Sequence, residues 1–177
     1  MTPPGHRFTL CLAVVALVST WGCAHPDELA DPGGPAARTR SESRGQALHW
    51  PLTGRLSSGY GKRGGHFHEG IDLRVDPGTP IRAAAAGRVR FAGRQRGYGR
   101  VVIVSHGGGI ETVYAHNRRN RVTRGEHVEQ GQVIAEVGSS GNATAPHVHF
   151  EVRVRGKATD PLRHLPRRPG SLAAASR

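Results

Sequence analysis

Two histidines, His147 and His149, stand two residues apart in the last third of a 177-residue chain. Far upstream, His68-Glu69-Gly70-Ile71-Asp72 sets a histidine and an aspartate four residues apart. Imidazole and carboxylate are ligands that suit zinc. One imidazole of the His147/His149 pair, added to His68 and Asp72, makes three nitrogen and oxygen ligands with a fourth position open to water. That is the composition of a catalytic zinc centre rather than a structural one. Zinc also lowers the pKa of a bound water towards ~7, which makes hydroxide available at neutral pH. The two cysteines, Cys11 and Cys23, both lie near the amino terminus. The rest of the chain therefore has no internal disulfide and no thiolate metal site.

Such ligands need a rigid frame. His147 to Val154 reads His-Val-His-Phe-Glu-Val-Arg-Val, a period of two, which predicts a β-strand. Val148, Phe150, Val152 and Val154 would face a core, while His147, His149 and Glu151 share the other face. A spacing of four puts His68 and Asp72 on one face of a helix or a strand. Gly70 and the turn Asp76-Pro77-Gly78 favour an extended segment. Arg88–Phe91 alternates, Val101–Val104 is a short apolar run, Ser105–Gly109 turns the chain, and Ile110–His116 returns as a hairpin partner. This places His116 with Tyr114 on one strand face. Gln132–Val137 adds a further strand. No segment carries a long apolar stripe of helical period. The expectation is one all-β domain from about Leu48 to Leu165, a mostly antiparallel sheet or sandwich with Gly-rich loops.

The remaining segments read differently. Residues 1–23 combine His6 and Arg7 with the apolar run Phe8–Val18, too short to span a bilayer comfortably, and end in Gly22-Cys23. This predicts an export signal whose Cys23 becomes lipidated and anchors the protein to a membrane, with plain secretion as the alternative. Residues 24–47, rich in Pro, Gly, Ala and Ser, read as a flexible tether, and residues 166–177 as a tail. The net charge of +12 implies attraction to polyanions. The arginines are scattered and few aromatics lie between them, so no stacking platform or nucleic-acid motif emerges, and nucleic acid is not expected as a partner.

The motifs then fall into a pattern. Trp50-Pro51 and Gly59-Tyr60-Gly61-Lys62-Arg63 precede His68-x-Gly70-x-Asp72. Gly78-Thr79-Pro80-Ile81, Gly97-Tyr98-Gly99, Tyr114-Ala115-His116, Gly131–Ile134 and His147–Glu151 follow in order. The stretch from Trp50 to Leu165 resembles the LytM/lysostaphin-type zinc endopeptidases of bacterial cell walls, the duplicated hybrid motif family. The resemblance implies His68, Asp72 and His149 as zinc ligands. It implies His116 and His147 as the two catalytic histidines, orienting or deprotonating the water and stabilising the oxyanion. It also implies peptidoglycan as the substrate and the cell envelope as the location. Two departures stand out. Asn117 replaces an aliphatic residue, and Asn142-Ala143-Thr144-Ala145 replaces Ser-Thr-Gly before Pro146-His147, which bears on peptide specificity.

Against this pattern His66, six residues from Asp72, does not fit. His106 beside a glycine turn reads as structural, and Glu151 as a salt-bridge or outer contact to the site. His6, His25, His49, His127 and His164 read as exposed or tail residues, and Asp76 as a turn former. Two other functions stay open: a wall-binding module that activates another hydrolase, and a secreted peptidase acting on soluble proteins.

Overall fold

The structure is a computed structural model that describes residues 47–168. The expected export signal with Cys23, the tether up to residue 46 and the tail beyond residue 168 lie outside the described residues. Thirteen short strands form: β1 Arg55–Ser58, β2 Gly61–Arg63, β3 His66–His68, β4 Ile71–Arg74, β5 Pro80–Arg82, β6 Gly87–Gln95, β7 Gly99–Ser105, β8 Ile110–Asn117, β9 Arg119–Asn120, β10 His127–Val128, β11 Val133–Glu136, β12 His147–Val154 and β13 Lys157–Thr159. The one helical element among the described residues is a single 3₁₀ turn, Pro161–Arg163. The all-β expectation holds.

The main sheet runs β1-β4-β12-β8-β7-β6-β10, with β13 also paired to β12. Every named strand pair is antiparallel. A second sheet runs β5-β11-β9, and β2 with β3 forms a separate hairpin. Val102, Val104, Tyr114, Phe150 and Val152 of the main sheet share one buried cluster with Ile81, Ile134 and Ala135 of the second. Tyr114 and Phe150, opposite each other in the β8–β12 register, bring their rings to 5.4 Å there. Val101, Val113 and Ala115 form a smaller cluster with Phe91, Tyr98 and Ile103. The alternation on these strands sends that set to the opposite face.

Packing runs past Leu165. Trp50 Nε1 donates to Pro166 O at 2.9 Å, and the Arg168 guanidinium lies 4.0 Å from the Trp50 ring centroid.

Two local breaks position the site. The stretch from His68 to Asp72 is not one extended segment: His68 ends β3 of the hairpin, and Asp72 lies on β4 of the main sheet. Gly70 makes the join. A Cβ there would stand 2.3 Å from Phe150 O and 3.0 Å from His149 Cε1, so any larger residue would push the join off β12. The second break is in β8, where Arg100 pairs with Asn117 but Val102 with Tyr114, so two steps on β7 answer three on β8. His116 sits in this bulge with φ of 62°. The left-handed residue ends the alternation, so His116 turns to the groove while Tyr114 faces the core. The expected shared face for these two residues is thereby corrected.

Candidate active site

An open groove of about 460 Å³ runs over the β4–β12–β8 face and is lined by His68, Asp72, Tyr98, His116, His147 and His149 among others. Asp72 and His149 are cross-strand partners in the β4–β12 register. The hairpin brings His68 in from the side. His68 Nε2 lies 3.1 Å from Asp72 Oδ1 and 3.0 Å from His149 Nδ1, and His149 Nδ1 lies 3.0 Å from Asp72 Oδ1. These three residues form a group able to hold a metal ion. His66 is exposed on β3 and stands outside that group.

The outward partners of the two imidazoles are a backbone carbonyl beside a guanidinium for His68 and a carboxylate for His149. His68 Nδ1 donates to Gly59 O at 2.7 Å, a carbonyl that also accepts from Arg63 Nη2, and Arg63 lies against the ring. His149 Nε2 donates to Glu151 Oε1 at 2.9 Å. With one proton on each ring, both inward nitrogens and the carboxylate oxygen present lone pairs to one another across about 3 Å. Three acceptors so placed repel unless positive charge lies between them. The same demand shows in the protonation of the bare site. Burial works against charge on His149, but hydrogen bonds to Asp72 and Glu151 outweigh it and push its pKa up to about 9. Burial likewise opposes ionisation of Asp72, yet hydrogen bonds from His149 and His68 hold its carboxyl far below the usual range. A zinc ion with ligands at ~2.0–2.2 Å fits this triangle with adjustments of a few tenths of an ångström.

Glu151 is fully buried and held from three sides. It accepts from His149 Nε2, from Tyr98 Oη at 2.7 Å and from Arg153 Nε at 2.8 Å. Burial raises its pKa, but the hydrogen bonds from His149 and Tyr98 and the charge of Arg153 win and keep it ionised. Sequence reasoning assigned Glu151 an outer contact but missed Tyr98 and Arg153 as its partners. Arg153 was findable, since it continues the 147-149-151 face by one more step of two.

The other two expected residues share the groove. His116 Nδ1 donates to Ser140 O at 2.7 Å, and its ring centroid is 4.7 Å from that of His147. Burial depresses the His116 pKa, and the neighbouring His147 and His149 push the same way against the Ser140 carbonyl. His147 Nδ1 donates to Ala145 O at 2.7 Å, and its Nε2 lies 3.8 Å from Asp72 Oδ1. Asn142 and Thr144, from the departing loop, line the groove. Asn117 is fully buried instead, donating to Tyr114 O and Asn120 Oδ1. His106 lies elsewhere, between Ala86 O and Thr112 Oγ1.

A model of peptidase family M23 matches residues 66–161. This chain belongs to peptidase family M23. The match covers β3 of the hairpin, the β4 and β12 strands that carry Asp72 and His149, and the two groove histidines. Among relatives, outer membrane antigenic lipoprotein B of Haemophilus influenzae is 42% identical over 119 residues, which cover 67% of this chain and 29% of that protein. The DD-carboxypeptidase/endopeptidase Mpg of Neisseria meningitidis is 41% identical, over 61% of this chain and 26% of its own. The murein hydrolase activator NlpD of Salmonella dublin is 38% identical, over 75% and 35%. The chain thus spans less than half the length of these relatives. Among solved structures, the catalytic domain of lysostaphin from Staphylococcus simulans is 32% identical with a TM-score of 0.58, over 62% of this chain and 90% of that one. A zinc-containing peptidase from Vibrio cholerae is 30% identical with a TM-score of 0.64, over 68% and 41%.

Proposed function

We propose that this M23 chain is a zinc metalloendopeptidase that hydrolyses peptide bonds in the cross-links or stem peptides of bacterial peptidoglycan. The observation that carries the reading is the convergence of three lone-pair atoms, His68 Nε2, Asp72 Oδ1 and His149 Nδ1, at 3.0–3.1 Å. His68, Asp72 and His149 would hold the zinc, which when bound supplies Lewis-acid polarisation and acidifies water at neutral pH.

The remaining chemistry belongs to the chain. His116 is locked by Ser140 O with Nε2 free, so it is the base that takes a proton from the attacking water and passes it to the amine nitrogen as the C–N bond breaks. His147 is held by Ala145 O and donates from Nε2 to the carbonyl oxygen as that oxygen gains charge, with Asp72 balancing the imidazolium. Glu151, braced by Tyr98 and Arg153, fixes the ring plane of His149 and keeps its proton on Nε2. Phe67, exposed at the groove edge, gives the substrate chain an apolar contact. No covalent protein intermediate is required.

The relatives support a wall setting. One is named an outer membrane lipoprotein and another an endopeptidase, which fits export to the envelope and anchoring through a lipidated Cys23. A second reading has one observation in its favour: the Salmonella relative is named a murein hydrolase activator. There the same domain would bind the wall and switch on another hydrolase. Digestion of purified sacculi by the mature chain separates the two. The expected result is loss of cross-links with untreated protein, and loss of activity on chelation. Asp72→Ala should lower both zinc retention and cleavage by more than about a hundredfold, because changes one step further from a metal already cost 10–100-fold. A zinc-loaded protein that leaves every peptide bond of the sacculus intact overturns the wall-endopeptidase reading and turns the search to a partner hydrolase.

A further inference from the structure

A second groove, of about 570 Å³, is larger than the first and is lined by Arg94, Arg100, Arg118, Arg119, Arg121 and Glu136 among others. In the sequence these arginines are spread over 28 positions (94 to 121). The fold gathers them from β6, β7, β9 and the loops on either side of β9. Glu136 is the only acid among the lining residues, and it is already taken: its Oε1 accepts from both Nε and Nη2 of Arg121. Among the described residues, the guanidiniums of Arg94, Arg100, Arg118 and Arg119 form no ion pair or hydrogen bond. Four guanidiniums thus share one concave surface without counter-charge, an arrangement that their mutual repulsion disfavours and a polyanion relieves.

The two grooves are lined by residues close together in the chain. Tyr98 and His116 line the metal groove, while Arg100 and Arg118, each two residues further on, line the arginine groove. Two residues span at most about 7 Å, so one extended chain reaches both. We propose that the arginine groove binds the carboxylates of an acidic peptide whose scissile bond lies in the metal groove. This deepens the peptidase reading and rests on it for the course of the substrate. A guanidinium fork takes carboxylate and phosphate alike. Two observations decide for a peptide carboxylate. The arginines at 100 and 118 stand two residues from the side chains that line the groove where peptide bonds would be cut, and the acid already present, Glu136, is a carboxylate seated on the Arg121 fork.

The test is binding by the full chain, stripped of metal with chelator so that no cleavage intervenes. The probes are a fluorescent decapeptide of alternating Glu and Gly, its Gln counterpart and inorganic polyphosphate, at low ionic strength. The Glu peptide binds and the Gln peptide does not. Arg100→Gln/Arg118→Gln/Arg119→Gln weakens binding by about tenfold or more, as loss of three partly exposed charge contacts implies. An equal loss of charge at exposed sites elsewhere, Arg55→Gln/Arg124→Gln/Arg163→Gln, changes it by less than about twofold. The single exposed change Arg119→Glu weakens binding as well, whatever the folding of the triple variant. Absence of Glu-peptide binding, equal losses in the two triple variants, or binding of polyphosphate alone overturns the proposal. Because binding is read without metal, failure here is separate from failure of the sacculus digest.

Discussion

The two faces of β12 are both buried, and they are buried by different means. On one face Val148, Phe150 and Val152 pack into the main apolar cluster with Tyr114 and Ile71. On the other, His149 and Glu151 are as deeply covered, at 7% and 0% exposure, but each polar atom has a named partner. The apolar face depends on volume. The polar face depends on the position of individual protons, so an atom removed there leaves its neighbour desolvated and alone. The core side carries a polar thread of its own. Ala84 N donates to Tyr114 Oη, the Tyr114 and Thr112 hydroxyls lie 2.8 Å apart, and Thr112 Oγ1 is 2.7 Å from His106 Nε2. His106 Nδ1 closes the thread on Ala86 O. This thread is satisfied with all its groups neutral, whereas the groove face is satisfied only with charge.

The comparison can be broken at three places. The largest effect belongs to Phe150→Ala, which empties the core face and costs about 3–5 kcal/mol in denaturant unfolding. Phe150→Leu should recover most of that loss, since volume is what the site requires. Glu151 should show no such tolerance. Glu151→Gln and Glu151→Asp both weaken zinc binding by about 10–100-fold, measured by competition with a chromophoric chelator. A Glu151→Asp variant that bound zinc like the parent would mean that the carboxylate's position is not what matters. The smallest effect concerns His106. Burial lowers its pKa below the ordinary value of 6.5, with the Ala86 carbonyl and the Glu111 charge opposing. The unfolded chain therefore binds the proton first. The contribution of neutral His106 is fully present above about pH 6.5 and is lost as pH falls from there towards the depressed native pKa. His106→Gln should flatten that part of the stability profile, read as the difference between the two proteins' melting temperatures from pH 7.5 to 5.

What could be read in the sequence was what depends on short-range pattern. The period of two over His147–Val154 gives β12, and the run Val101–Val104, the glycine turn and Ile110–His116 give the β7–β8 hairpin. Types and spacing led to His68, Asp72 and one imidazole of the His147/His149 pair, the resemblance implied His149, and the fold brings His68, Asp72 and His149 together. Other features depend on what the fold puts side by side. Tyr98 reaches Glu151 across 53 positions, and nothing local to either residue announces it. The turn of His116 into the groove depends on a bulge, which one strand's alternation cannot reveal without its partner's register. The arginines looked scattered because their spacing follows no single element, and only the packing of β6, β7 and β9 collects them.

Trp50, near the start of the described region, and Arg168, at its end, are stacked on each other, and Trp50 Nε1 also holds Pro166. Entry and exit therefore leave the domain at one point. A module whose two ends meet can be inserted into a longer polypeptide without pulling on its groove. A chain that carries it is thus free to vary in length on either side, while the His68–Asp72–His149 group travels as a unit.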